Sequence, residues 1–206
     1  NRFLHFVLEP DVDCWLEWAK QKGISPVVRA YIHFRGIRAL YDNPGDTPAF
    51  PSPRTIAWAD EVYQEAKKRK LRRDEIKALI ASCIGEGHAI QFMQFESVYS
   101  KIDVAKVIAT GEIGTDDKHK EPSFLYALTY GVASYVRDRM EPTKVKENIQ
   151  GIMKFLKKLN SEYVVLFLKE IMDKQKTFKV ITEAITKDKD LMKVVDTVIE
   201  GINMYE

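Results

Sequence analysis

Ala49-Phe50-Pro51-Ser52-Pro53-Arg54-Thr55-Ile56 reads as the start of a helix with an arginine in its first turn. Ser52 is a good N-cap, because its hydroxyl can accept from one of the orphan N–H groups at a helix start. Pro53 fits the first helical position, where its missing N–H costs nothing and φ is already helical. Arg54 follows at the second position. A helix N-terminus carries roughly half a positive charge. A guanidinium beside it makes a local site for an anion, most naturally a phosphate. The plainer reading, that Arg54 is only a surface residue, stays open on this spacing alone.

Outward from this start, the helix carries Ile56, Ala59, Tyr63 and Ala66 at helical spacing and ends in Lys67-Lys68-Arg69-Lys70-Leu71-Arg72-Arg73. Upstream, Phe3 to Leu8 is a short apolar run suited to a strand. Asp11 can cap a helix with Cys14, Trp15, Trp18 and Ala19 on one face, and Gly23 stops it. Ser25-Pro26 repeats the cap-and-proline device. Asp42 to Asp46 is turn chemistry, and the loop extends to Pro51. Downstream, Ile76, Leu79, Ile80 and Cys83 are expected inward. Gly85-Glu86-Gly87 interrupts the pattern, as a break between helices or where another backbone comes close. Ala89, Phe92, Met93 and Phe95 continue it. Asp103 to Ala109 reads as one short helix. Thr110 to Pro122 is a charged loop and the best boundary candidate. Beyond Ser123, amphipathic helices with short connections read as an antiparallel bundle, with Phe124, Leu125, Leu128, Val132 and Tyr135 on one face of the first. The expected fold is all-α, with about ten helices and one short N-terminal strand.

The chain has 206 residues, 45% of them hydrophobic and 30% charged, with net charge +2. Such a composition suits a globular fold with a core of ordinary size. Near-neutral charge argues against bulk nucleic-acid affinity and leaves only a local patch to consider. Cys14 and Cys83 lie far apart, so neither a metal spacing nor a disulfide framework follows, and a cytoplasmic setting is the default. No run of about 18 apolar residues is present to span a membrane. The chain opens at Asn1 without a methionine, so it is expected to be a piece of a longer protein.

No GxxxxGK[ST], HExxH, GxSxG or CxxC occurs. His5, His33, His88 and His119 are scattered, and lone histidines are more often structural or solvated than catalytic. No metal site is expected. The basic run Lys67, Lys68, Arg69, Lys70, Arg72 and Arg73 has two readings. It is a solvated helix end whose cations complement the dipole, or a patch for a phosphate backbone or an acidic partner.

Several stretches together resemble the C-terminal part of MoxR-like AAA+ ATPases. They are Asn1-Arg2-Phe3 with the strand after it, Asp11 to Ala19, Ala49 to Thr55, Ile84 to Phe92 and Pro122 to Leu128. The likeness is good to about residue 100 and looser beyond, and Phe50-Pro51-Ser52-Pro53-Arg54 is its most specific part. The resemblance implies that residues 1–10 are the last strand of a truncated nucleotide-binding core. It makes 11–110 the helical lid and 121–206 a C-terminal helical bundle. Arg54 matches the sensor-2 arginine that reaches the γ-phosphate, with Ser52 and Thr55 at the same helix start. Arg2 sits where some clades keep an arginine finger. ATP and Mg2+ belong to the full-length protein, whose Walker A and B segments would precede Asn1. The fragment alone is expected to be inactive and to bind no cofactor tightly. A homo-oligomeric ring with a remodelling, chaperone-type role and a client or adaptor protein is implied. The alternative is a non-enzymatic helical interaction module that uses the basic run.

Overall fold

The computed structural model describes residues 3–7, 9–42, 47–114, 121–194 and 196. Arg2, Leu8, the 43–46 turn, His119, Val195, Val198 and Ile202 lie outside them. The chain divides into two compact units, Asn1–Ser97 and Val98–Glu206. Among the described residues there are twelve helices, a further helical segment over 189–194, and no strand. The all-α class holds. The strand at 3–8 does not: residues 3–7 carry no ladder, and Phe3, Leu4, Phe6 and Val7 are 80–87% exposed. A strand needs another strand to satisfy its N–H and C=O groups, and the described chain offers only helices.

The first unit holds α1 (Val12–Gln21), α2 (Pro26–Arg35), α3 (Ile37–Leu40), α4 (Pro53–Lys68), α5 (Arg73–Ile84) and most of α6 (Glu86–Tyr99). Local chemistry sets most of the ends. The Asp11 carboxylate accepts from the Cys14 N–H at 2.7 Å and caps α1. Gly23, at φ 75°, ends it. The Ile24 and Gly23 N–H groups bond back to the Ala19 and Lys20 carbonyls at 2.9 and 3.2 Å, the Schellman pattern. In α1 the buried face is Trp15 and Ala19, whereas Cys14 and Trp18 are exposed. In α5 it is Ile76, Ile80 and Ile84, one residue per turn, so Leu79 turns out to solvent. An aromatic cluster sits within an otherwise aliphatic core. The Tyr31 and Tyr63 rings each meet Phe92 edge-on, with centroids 5.5 and 5.4 Å apart, and Phe34 stacks on Phe95 at 5.8 Å. Such geometry adds about 0.5–1.5 kcal/mol per pair beyond area burial.

The second unit holds α7 (Val104–Thr110), α8 (Pro122–Arg139), α9 (Pro142–Glu147), α10 (Ile149–Lys157), α11 (Ser161–Ile171) and α12 (Gln175–Ile185). Within this unit α7 packs on α8 and α10, which is why the unit begins at Val98, ahead of the 110–122 loop that sequence marked as the boundary candidate. Asp103 caps α7 through the Lys106 N–H at 3.0 Å. Helix α8 is central: every residue from Ala127 to Ser134 is buried. The expected one-sided face therefore widens to most of its circumference, while Tyr135 turns out to solvent. Helices α8 and α11 pack against each other, with the Tyr126 and Tyr163 rings edge-on at 5.2 Å.

Candidate functional site

The start of α4 is built as a closed set of hydrogen bonds. Ser52 Oγ accepts from the Thr55 N–H at 3.2 Å, and the Ser52 N–H donates to Thr55 Oγ1 at 2.8 Å, a reciprocal capping box. The Thr55 hydroxyl also donates to the Phe50 carbonyl at 2.8 Å. The Ile56 N–H takes the Ser52 carbonyl at 2.9 Å. Since Pro53 has no N–H, the Arg54 N–H is the one left over at this helix start among the described residues. The hydroxyls of Ser52 and Thr55 thus hold the turn together. Arg54 is exposed and makes no ion pair among the described residues. Trp58, one turn along the same face, is 51% exposed.

Neighbouring elements fix this turn in place. The Trp15 indole N–H donates to the Pro53 carbonyl at 3.3 Å, which ties α1 to α4. The Asp42 N–H donates to the Pro51 carbonyl at 3.2 Å. Gly85 lies under Ala49: a Cβ there would stand 2.8 Å from the Ala49 carbonyl oxygen, and its φ is +85°. Both roles foreseen for the Gly85–Gly87 stretch meet at this one glycine, which ends α5 and admits a second backbone. Between the 47–51 loop and the start of α6 lies a cleft of about 280 Å³. On its wall His88 Nε2 is 3.2 Å from an Asp42 carboxylate oxygen, while the buried His88 Nδ1 meets no partner among the described residues. Sequence reading missed this pair, because the two residues are 46 apart and no motif joins them.

The basic run is largely occupied by acids of its own unit. Arg73 Nη1 reaches Glu96 at 2.6 Å, and its Nη2 donates to the Met93 carbonyl. Lys67 reaches the other Glu96 oxygen at 3.1 Å. Arg69 pairs with Glu65 at 2.7 Å, with Lys68 at 4.0 Å from the same side chain. Arg72 pairs with Asp74 at 3.1 Å and Glu75 at 3.6 Å. Lys70 has no acidic partner among the described residues, and at φ 55° it serves as the left-handed residue that closes α4. Its side chain is exposed, but one cation is a poor anchor for a phosphate backbone.

Glu96 is the centre of that network, and no sequence signal marked it. It is 3% exposed and also accepts from the Tyr63 hydroxyl at 3.3 Å. Burial alone would raise its carboxyl. The hydrogen bonds and charges of Arg73 and Lys67 outweigh burial and hold it below the ordinary glutamate range. A lowered folded value means stability that is full above the unfolded value, about 4.3, and is lost as pH falls through the folded one. Glu96→Gln is expected to cost about 1–3 kcal/mol at neutral pH. It should also flatten the acid limb of the stability profile, measured by urea unfolding between pH 7 and pH 3. An unchanged acid limb would assign that pH dependence to other carboxylates.

Among the described residues no group of His, Cys, Asp and Glu is arranged to hold a metal ion, and no helix is long and apolar enough to cross a membrane. No protein-family model, curated protein or solved structure matches the chain.

Proposed function

We propose that the first unit is the core of a helical lid, residues 11–110, of a ring-forming, MoxR-like AAA+ ATPase, with Arg54 reporting the γ-phosphate of bound ATP. The observation that supports this reading is the state of Arg54. It makes no ion pair among the described residues and sits on a turn held from several sides, while most of the basic run, at the far end of α4, is spent on internal acids. Phosphoryl transfer needs positioning and charge neutralisation more than covalent chemistry from the protein. The Arg54 guanidinium and its backbone N–H, which has no partner among the described residues, suit contact with a phosphate oxygen, but they are too few to hold a nucleotide. ATP and Mg2+ would be bound by a phosphate loop and its acidic partners elsewhere in the longer protein. Lid angle would follow nucleotide state because Arg54 sits on α4, which is packed against α5 and tied to α1.

The test begins with the coding frame upstream of Asn1, which should encode GxxxxGK[ST]. In that full-length protein, Arg54→Ala is expected to lower the steady-state ATPase rate by about 10²-fold. Its melting should stay within about 0.5 kcal/mol of wild type, since Arg54 packs little. Arg54→Lys should recover only part of the rate, because a point charge lacks the planar fork. The 206-residue chain by itself should show no hydrolysis above background. A frame without the phosphate loop, or an Ala variant that hydrolyses ATP like wild type, overturns the reading.

A further inference from the structure

A groove of about 570 Å³ opens between α10 and α12 of the second unit, with the end of α9 at its rim. Its position follows from the pattern of α10. Ile152, Phe155 and Leu156 turn inward and are wholly buried. Ile149 and Met153 lie on the flank of the same helix, half-buried, and Val180 and Ala184 of α12 face the same groove, also half-buried. These side chains make an apolar floor. Lysines stand around it. Lys157 is committed to Asp188 at 2.6 Å. Lys146, Lys154 and Lys187 are exposed and make no ion pair among the described residues. Lys154 acts on Glu112 only at a distance, since that carboxylate is held by Lys158 at 2.7 Å. The acid on the rim, Glu183, is already 3.9 Å from Lys179.

We propose that this groove docks an amphipathic helix of a partner protein, apolar along the face it lays on the floor and acidic along its edges. The charge pattern selects the occupant. Three open cations surround an aliphatic strip, which complements a helix whose anchors fall at i, i+3, i+4 and i+7 between carboxylates. A nucleic acid fits poorly. No aromatic side chain lines the groove to stack a base, and Glu183 and Asp188 would face the phosphates. The proposal stands on the second unit alone and does not depend on the role of Arg54.

Three labelled probes test it against the full chain by fluorescence anisotropy. They are a synthetic helix with Leu at i, i+3, i+4 and i+7 and Glu elsewhere, a scrambled peptide of the same composition, and a single-stranded oligonucleotide. The amphipathic peptide should bind saturably and lose affinity as salt shortens the reach of the lysines. The double variant Lys154→Glu, Lys187→Glu should weaken it by about tenfold or more, because like charges then face each other. Both positions are exposed, so melting should be unchanged. Met153→Gln, close to it in size, should weaken binding through the floor while leaving the lysines in place. Absence of saturable binding, equal binding of the scrambled peptide, tighter binding of the oligonucleotide, or wild-type affinity in the double variant each overturns the proposal.

Discussion

Gly151→Ala is expected to destabilise the second unit by about 3 kcal/mol, at the upper end of what overpacking costs. Gly151 lies on α10 where it crosses α7. A Cβ at this position would stand 2.0 Å from the Ile108 carbonyl oxygen and 2.8 Å from that of Ala109. Both atoms are backbone, so no rotamer change can move them, and α7 as a whole would have to retreat. Gly111 closes the same crossing from the other side. At φ +71° its own Cβ would stand 2.8 Å from the Gly151 carbonyl oxygen. Alanine gains about 1 kcal/mol of helix propensity over glycine, which the clash exceeds. The melting temperature of the unit should fall by roughly 10–20 °C, given its size. Gly87→Ala is the control: its Cβ would meet nothing within 4 Å, so that variant should melt at or above the wild-type temperature. Equal melting of the two variants would mean that α7 and α10 do not approach so closely in solution.

Asp60→Ala should cost about 3 kcal/mol or more, because it leaves several buried donors without their acceptor and each unmade bond costs about 1–3 kcal/mol. Asp60 is 1% exposed on α4, and Arg29, equally buried on α2, acts on its charge. Its carboxylate accepts from the Ser25 N–H at 3.1 Å, from the Ser25 hydroxyl, and from Gln64 Nε2 at 2.6 Å. Those bonds hold the start of α2, where the Ser25 side chain does not itself cap. Alanine removes the acceptor and the charge together. Asp60→Asn keeps one acceptor oxygen and should cost less than alanine, about 1–3 kcal/mol. Burial raises the Asp60 carboxyl, and the bonds from Ser25 and Gln64 with the Arg29 charge offset only part of that. A raised folded value works in the opposite sense to Glu96. The part of its contribution that depends on ionisation is full below the unfolded value, about 3.9, and is lost as pH rises through the folded one, whereas the bonds from Ser25 and Gln64 remain at pH 7. Chemical unfolding of wild type and both variants at pH 7 reads the cost directly. Equal stability of Asp60→Ala and wild type would show that the carboxylate is dispensable to this packing.

At the candidate site, the part visible in sequence was the helix start itself. Ser52 as cap, Pro53 at the first position and Arg54 after it follow from interactions that span three residues. The fate of the hydroxyls was not visible. Sequence placed Thr55 only at the helix start; that its hydroxyl takes the Ser52 N–H and donates to the Phe50 carbonyl depends on how the preceding loop folds back. The basic run shows the same limit. Its acidic neighbours Glu65, Asp74 and Glu75 lie within helical reach, but Glu96 is 23 residues from Arg73 and becomes its partner only when the fold brings the end of α6 back to the start of α5. His88 and Asp42 meet at the cleft for the same reason.

By itself the sequence determined the all-α class and the starts of α1, α2, α4 and α7. Caps and first-position prolines act within one turn, and the apolar period persists through each helix. It did not determine whether Phe3 to Val7 would be a strand, because pairing needs a second strand that no local signal supplies. Nor did it determine that α8 would be buried around most of its circumference, that the unit boundary would follow Ser97, or that Gly151 would be the point of closest approach. Those depend on which helix faces meet. That choice is set by the fit of surfaces far apart in sequence, where a carbonyl 2.0 Å from an absent Cβ permits only glycine.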